Sequence, residues 1–229
     1  MNRVVNVARM QLINKWTFLG IPAIIMVSAF LITLAIWAMI PASGETFYSG
    51  ASQAVVWYFL ALGIQSLTLT FPFSQAMSVS RRTFYIGTVG LFATVALAIS
   101  VLYYLLGLVE VATNGWGFNG QLYALDWVAA EHAVVQILFY FIAMVALFMI
   151  GFWFATIYKR WQATGMLITW IAIAVVLIGL LGLTSWQGWW PTVGQWLVAQ
   201  TPLSVSGWAA LFCAVLAGGS YLTLRRAAP

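Results

Sequence analysis

The residues best suited to specific recognition in this sequence form a short polar stretch between two apolar runs. The stretch reads Ser-Val-Ser-Arg-Arg-Thr-Phe-Tyr-Ile-Gly from Ser78 to Gly87. Ser78 or Ser80 can cap a short helix that Gly87 ends. Guanidinium groups form paired hydrogen bonds with carboxylates, and aromatic rings fill pockets on a partner. The stretch therefore has the composition of a docking element. The alternative is that its two arginines only orient the chain and its two aromatic rings anchor at an interface.

Candidates for catalytic or metal chemistry are few. His132 is the only histidine, and it stands beside Glu131 and near Asp126. A metal site there would need further ligands, so we expect a solvated helix start instead. Ser43 lies in an outer loop and the single histidine is not obviously near it, which disfavours a serine nucleophile. Cys213 is the only cysteine and lies in an apolar run, which indicates a small packing residue.

Nucleotide chemistry is also missing from the chain itself. Lys15 and Lys159 are the only lysines, and they are followed by Trp and Arg, so no Gly-x-x-x-x-Gly-Lys-Ser/Thr loop exists. We therefore expect no catalytic residue, no metal and no cofactor bound by this chain.

The composition defines the class of protein. Only 6% of the 229 residues are charged and 64% are hydrophobic, with a mean hydropathy of +1.00. Soluble domains carry about 25% charged residues. A soluble globular domain and a disordered chain are therefore excluded. The net charge of +5 comes from cations spread along the chain, which make no basic patch for nucleic acid.

Six apolar runs are long enough to cross a bilayer, which takes about 20 residues. None of them contains Asp, Glu, Lys or Arg. The sequence therefore predicts an all-α polytopic membrane protein with a single transmembrane domain. The predicted spans are Phe18–Ile40, Ala54–Met77, Thr88–Val109, Val134–Ala155, Met166–Thr184 and Gly207–Leu224.

The charges between these spans are segregated by sign. Every Lys and Arg lies on one side of the predicted membrane, and every acid lies on the other. Cytoplasmic segments hold the excess of Lys and Arg, so both termini are predicted to be cytoplasmic. The loop 157–164 is then a tight inner turn whose cations set topology. The cations are Arg3, Arg9, Lys15, Arg81, Arg82, Lys159, Arg160, Arg225 and Arg226, and the acids are Glu45, Glu110, Asp126 and Glu131.

Residues 1–17 are predicted to form an amphipathic helix along the inner leaflet, with its cations near anionic headgroups. The alternative is a basic flank that only sets topology. The predicted apolar face consists of Val4, Val5, Ala8, Leu12 and Trp16. The cations of this interfacial segment are Arg3, Arg9 and Lys15.

Two further segments bear on transport. The outer segment 185–206 carries four tryptophans and is expected to dip back into the outer leaflet or to pack over the spans. Span two carries the most polar side chains, which either line a route or join helices. No span holds a carboxylate, which disfavours proton-coupled or sodium-coupled transport. A hydrophobic or amphiphilic passenger suits such a path. The candidate lining residues are Gln65, Ser66, Thr70, Ser74, Thr169 and Trp170.

These features together resemble the membrane subunit of bacterial ABC transporters of the ABC-2 type, the exporters with the type V fold. The resemblance rests on six spans with both ends inside, the amphipathic N-terminal helix, the Ser-Arg-Arg-Thr-Phe-Tyr-Ile-Gly loop from Ser80 to Gly87, and the Trp-rich last outer segment. In that family the last outer segment contains re-entrant helices.

The resemblance implies an assembly in a bacterial cytoplasmic membrane. Two permeases, identical or different, would face each other through spans two and five. Two separate ATPase chains would bind ATP and Mg, and the loop 78–87 would couple to them. The substrate stays open, since there is no large outer domain. A non-transporting scaffold, sensor or assembly factor is the alternative, and an intramembrane enzyme is a third. The implied coupling residues are Ser80, Arg81, Arg82, Thr83, Phe84 and Tyr85.

Overall fold

The computed structural model describes residues 3–41 and 46–225, and the protein is mostly helical. Within these residues, five helices are long and apolar enough to cross a membrane. The prediction of an all-α polytopic membrane protein is confirmed at this level. Of the residues singled out from the sequence, Ser43, Glu45 and Arg226 lie outside the described residues, as do the side chains of Arg3, Val4 and Arg225.

The predicted N-terminal helix is shorter than residues 1–17. Helix α1 (Arg3–Gln11) ends before a turn, and a π-helical turn (Trp16–Gly20) then leads directly into α2 (Ile21–Met39). Trp16 therefore belongs to the first long apolar helix and not to the interfacial one.

Helix α1 has a face buried against the protein besides the apolar face predicted for the membrane. Val7, Met10 and Gln11 are buried, where α1 packs on the helices that follow. Val5 and Trp16, which were predicted to face the membrane, are not covered by the protein. The helix has apolar residues on two sides, and the protein itself covers one of them.

The second predicted span is divided into α3 (Gln53–Thr68) and α4 (Thr70–Ala76). Pro72 causes the break, because it has no N–H for the carbonyl group of Thr68 four residues earlier. The Thr70 hydroxyl donates to the carbonyl oxygen of Ser66 across the break.

The third span, α5 (Arg81–Ala112), is longer than predicted at both ends. Ser80 caps it, with its Oγ 3.2 Å from the Thr83 amide nitrogen. Gly87 ends no helix, because it is buried inside α5. The stretch from Ser78 to Gly87 is therefore a tight turn followed by the first two turns of a membrane helix.

A helix of 54 residues, α7 (Ala133–Trp186), contains a sharp break at Gln162, with φ 56° and ψ −151°. The rings of Phe154 and Trp170 are 5.2 Å apart. In an unbroken helix these residues would be about 24 Å apart along the axis. The chain therefore reverses at Gln162 into two antiparallel arms, a first arm (133–161) and a second arm (163–186).

The Trp-rich segment forms a short helix, α8 (Trp190–Val198), that precedes α9 (Pro202–Arg225). Gly188, at φ 67°, turns the chain into α8. The Trp196 ring contacts the Trp208 ring edge to face at 6.2 Å. The tryptophans are about half exposed or more, so α8 lies on the surface and does not pack over the helices.

Two glycines hold the centre of the bundle together. Gly63 of α3 lies against the backbone of Phe148 and Phe152 in the first arm of α7. Gly151 of that arm lies against the carbonyl group of Leu60. Without side chains at these positions, the two helices cross at backbone contact.

The bundle has two chemically distinct ends. At one end, Arg81 Nη1 donates to the carbonyl oxygen of Leu224 at 3.5 Å, which joins the start of α5 to the end of α9. We call this the basic end; it also carries α1 and the reversal at Gln162. The other end, which we call the acidic end, carries the acidic residues that the structure describes. It also carries a parallel two-stranded sheet of β1 (Phe47–Tyr48) and β2 (Gly120–Gln121). The acids are Glu110, Asp126 and Glu131, the last two within and just after the short helix α6 (Asp126–Ala129).

Candidate functional site

The predicted docking residues lie at the start of α5, on the basic end. Ser80 and Arg82 are exposed, and Arg81 and Thr83 are half-buried. The Ser80 and Thr83 hydroxyl oxygens are 2.7 Å apart, which fixes the first turn of the helix. The polar half of the predicted element is therefore available at the surface on a rigid helix start.

The aromatic half is placed differently. Phe84 is fully buried and packs edge to face on Phe71 at 5.3 Å, so it presents no ring to a partner. The Tyr85 hydroxyl donates to the carbonyl oxygen of Ala217 at 3.0 Å, and its ring packs on Phe152 and Tyr221. These two rings connect the start of α5 to α4, α7 and α9.

A polar cavity of about 320 Å³ lies between α1 and the turn from α4 to α5. Ser78 gives the turn its shape with a φ of 55°. The cavity opens beside the arginine pair, so a partner segment that reached Arg82 would also meet polar groups here. The lining residues are Asn6, Met77, Ser78, Val79, Ser80 and Thr83.

Helix α1 is fixed to α5 by a buried polar contact. The Gln11 side chain donates to the Thr88 hydroxyl, and both residues are fully buried. Because Asn6 lines a cavity with Thr83, α1 runs beside the first two turns of α5. Arg9 and Lys15 are exposed. The interfacial segment and the start of α5 would therefore move as one unit.

The hydroxyl groups of Ser66, Thr70 and Ser74 in span two bond to carbonyl groups of nearby residues in the same span. Ser66 and Ser74 are buried and donate to the carbonyl oxygens of Gly63 and Phe71 at 2.8 and 2.7 Å. The Oε1 atom of Gln65 is buried and has no hydrogen-bond partner among the described residues. The role of these groups in a pathway between chains stays a prediction.

The two span-five candidates lie in the second arm of α7. The Thr169 hydroxyl donates to the carbonyl oxygen of Gly165 at 2.8 Å, and Thr169 lines a cavity at the reversal of the chain. Trp170 is exposed and stacks on Phe154.

The acidic end is organised by Glu110, which the sequence placed just after span three and which is buried at 1% exposure. Its carboxylate accepts hydrogen bonds from the amides of Leu122, Tyr123 and Ala124 at 2.9–3.3 Å. It also accepts one from the Trp116 indole at 2.8 Å. A single carboxylate thus collects four donors and folds the segment 113–124 into a cap.

Glycines and asparagines make this cap sterically feasible. Asn114, Gly115, Gly117 and Asn119 have positive φ, which these residue types tolerate best. Trp116 also has a positive φ, of 60°. These backbone conformations make the tight turns between the end of α5 and the amides of residues 122–124.

The cap also packs against α2, the first apolar helix. A Cβ at Gly120 would lie 2.5 Å from the Trp37 ring, so only glycine fits there. The rings of Phe30 and Trp116 meet edge to face at 4.8 Å. The Tyr103 hydroxyl donates a hydrogen bond to the carbonyl oxygen of Ser52 at 2.6 Å, which joins α5 to the start of α3. The cap therefore closes the acidic end over α2, α3 and α5.

Two tyrosines at the acidic end, one in β1 and one in the cap, have a raised pKa. The hydrogen bond to Asp126 and the charge of that carboxylate raise the pKa of Tyr48. Burial, and then the charge of Glu110, raise the pKa of Tyr123 to about 12. Both phenols therefore stay neutral through the physiological range. His132, by contrast, is exposed at the start of α7, as predicted.

No protein-family profile, curated protein or solved structure matches this chain.

Proposed function

We propose that this protein is the permease subunit of an ATP-driven exporter of the ABC-2 type in a bacterial cytoplasmic membrane. The observation that carries the proposal is the basic end. There an exposed arginine stands on a capped helix start, beside a polar cavity, and is tied through buried contacts to four other helices. Such a surface suits an acidic groove on a cytoplasmic ATPase chain.

The proposed topology has six spans with both termini in the cytoplasm. The reversal at Gln162 supports it, because each arm of α7 is long enough to cross the membrane alone. The grouping of cations at one end of the bundle supports the orientation. The basic end would then face the cytoplasm and the Glu110 cap would face outward.

The second arm of α7 supports the proposed pairing with another permease. The four consecutive residues Val175–Ile178 point to all sides of a helix, and each is between 54% and 70% exposed. Lipid or a second permease would cover this arm. A passenger between two such arms would meet apolar side chains, which suits a hydrophobic or amphiphilic substrate.

Coupling would follow from the rigidity of α5. ATP bound by the partner chains, with Mg, would favour one conformation of the assembly, and their closure would move the helix start at Ser80–Thr83. The buried contacts of Phe84 and Tyr85 would pass that movement to α4, α7 and α9.

A charge reversal at Arg82 tests the coupling. In complexes purified from native membranes, Arg82→Glu is expected to lower ATP hydrolysis by about 10-fold or more. The substitution would break the proposed charge pair between Arg82 and the acidic groove of the ATPase chain, which would be buried at their interface. Lys15→Glu is the matched control, since Lys15 is an exposed cation away from the α4–α5 turn. Full assembly and full hydrolysis in Arg82→Glu would contradict the docking role.

A further inference from the structure

A second cavity, open to the surface, lies at the reversal of α7. It plays no part in the proposed coupling. Its volume is about 300 Å³, at the lower end of the range for small-molecule sites. An indole and an isoleucine form an apolar wall, and two threonines supply hydroxyl groups. The lining residues are Trp161, Thr164, Gly165, Ile168 and Thr169.

One cation is held beside a wall of this cavity, and a second precedes it in the sequence. The Arg160 guanidinium carbon lies 4.2 Å from the centre of the Trp161 ring, so a cation–π contact holds the charge beside the cavity wall. Lys159 precedes it. Neither side chain forms a hydrogen bond or an ion pair within residues 3–41 and 46–225, so their N–H donors are available for an anion.

The backbone of the reversal fixes this arrangement. Gln162 has a φ of 56° and a ψ of −151°, a region that is costly for any residue with a side chain. Gly165 lies against the Cβ of Trp161, so a larger residue would displace the indole from the wall. The cavity is therefore part of the fold of the turn.

The cavity combines a cationic rim with an apolar wall at the end of two apolar arms. Cations at such a position lie where lipid headgroups are found. Beyond Ile168, the second arm presents exposed apolar side chains such as Ile171 and Val175. A ligand that satisfies both parts has an anionic group and a hydrocarbon chain.

We propose that this cavity binds an anionic phospholipid of the adjoining leaflet. Its phosphate lies against Arg160 and Lys159, and the upper part of an acyl chain lies against Trp161 and Ile168. A free phosphate ion would leave the apolar wall uncovered. The site would exist whether or not the protein is an exporter, so its failure and that of the proposed function are distinguishable.

The test counts bound lipid on the full-length protein in detergent by native mass spectrometry. Phosphatidylglycerol and phosphatidylcholine with identical chains are titrated separately. Wild type is expected to bind phosphatidylglycerol about 10-fold more tightly or better, since each nearby cation favours an anionic lipid. Lys159→Gln/Arg160→Gln is expected to abolish this preference. Ile168→Trp keeps both cations, fills the cavity at an exposed position, and is expected to weaken phosphatidylglycerol binding by about 10-fold.

Arg9→Gln/Lys15→Gln is the matched control, because it removes two exposed cations elsewhere in the protein. It should keep the preference. An equal loss in the control would show general surface attraction and overturn the site. Full binding by Ile168→Trp would also overturn it, as would displacement of the lipid by millimolar inorganic phosphate.

Discussion

Gly63→Ala is expected to lower the free energy of unfolding by about 2–3 kcal/mol, because the added methyl group meets backbone atoms. Its Cβ would lie 2.7 Å from the amide nitrogen of Phe152 and closer still to the carbonyl oxygen of Phe148. Backbone atoms of a packed helix cannot rotate away as a side chain can. Gly151→Ala should cost a similar amount through the carbonyl group of Leu60. Thermal unfolding in detergent, followed by tryptophan fluorescence, measures both.

The same crossing predicts that the two effects do not add. Once α3 and the first arm of α7 have separated to admit one methyl group, the second meets less resistance. Gly90→Ala and Gly179→Ala are the matched controls, since a Cβ at either position meets no atom within 4 Å. They should leave the melting temperature unchanged or raise it slightly. Equal destabilisation by controls and test variants would contradict the close crossing.

Glu110→Gln is expected to destabilise the protein by about 3 kcal/mol and to open the cap at the acidic end. An amide keeps one acceptor oxygen but turns an NH₂ group toward buried N–H donors. All four donors then lose a charged acceptor, and the Trp116 indole loses its only oxygen partner if the amide oxygen takes the place of Oε1. Hydrogen bonds to a charged group contribute about 1.5–3 kcal/mol each. Thermal unfolding reports the stability. Limited proteolysis within 113–124 reports the opening, because this segment folds around the carboxylate.

Glu131→Gln provides the comparison for this result. Glu131 is only half-buried, and its carboxylate accepts no hydrogen bond from any described residue. The Glu131→Gln variant should have the melting temperature and the protease resistance of the wild type. If Glu110→Gln also behaves like the wild type, the carboxylate does not hold the cap.

The sequence predicted the long apolar elements well because hydrophobic length is a local property. Each of the predicted spans overlaps a helix or an arm, and the turn predicted at 157–164 contains the break at Gln162. The division at Leu69 was indicated only by Pro72 within span two. The side on which α1 is buried could not be derived, because Val5 and Val7 are equally apolar and only tertiary packing distinguishes them.

The candidate site was predicted in part. The exposed arginine and the helix cap at Ser80 follow from composition, but the burial of Phe84 does not. A signal was present, since Phe84, Thr88, Phe92 and Ala96 recur every four residues and are all buried on one face of α5. Glu110 was missed because three of its four donors are backbone amides, which no side-chain pattern records. The nearby Gly115 and Gly120 were the available hint of a tightly folded backbone.

The central claim is that the basic end holds a separate ATPase chain, and purification from native membranes tests it most directly. Tagged wild-type protein, extracted in mild detergent, should bring down an ATP-hydrolysing chain with a P-loop in roughly equal amount. The Arg82→Glu variant, in which only an exposed side chain is changed and thermal unfolding stays the same, should lose that chain. Recovery of the protein alone, or equal recovery of the ATPase with the variant, would contradict the proposed function.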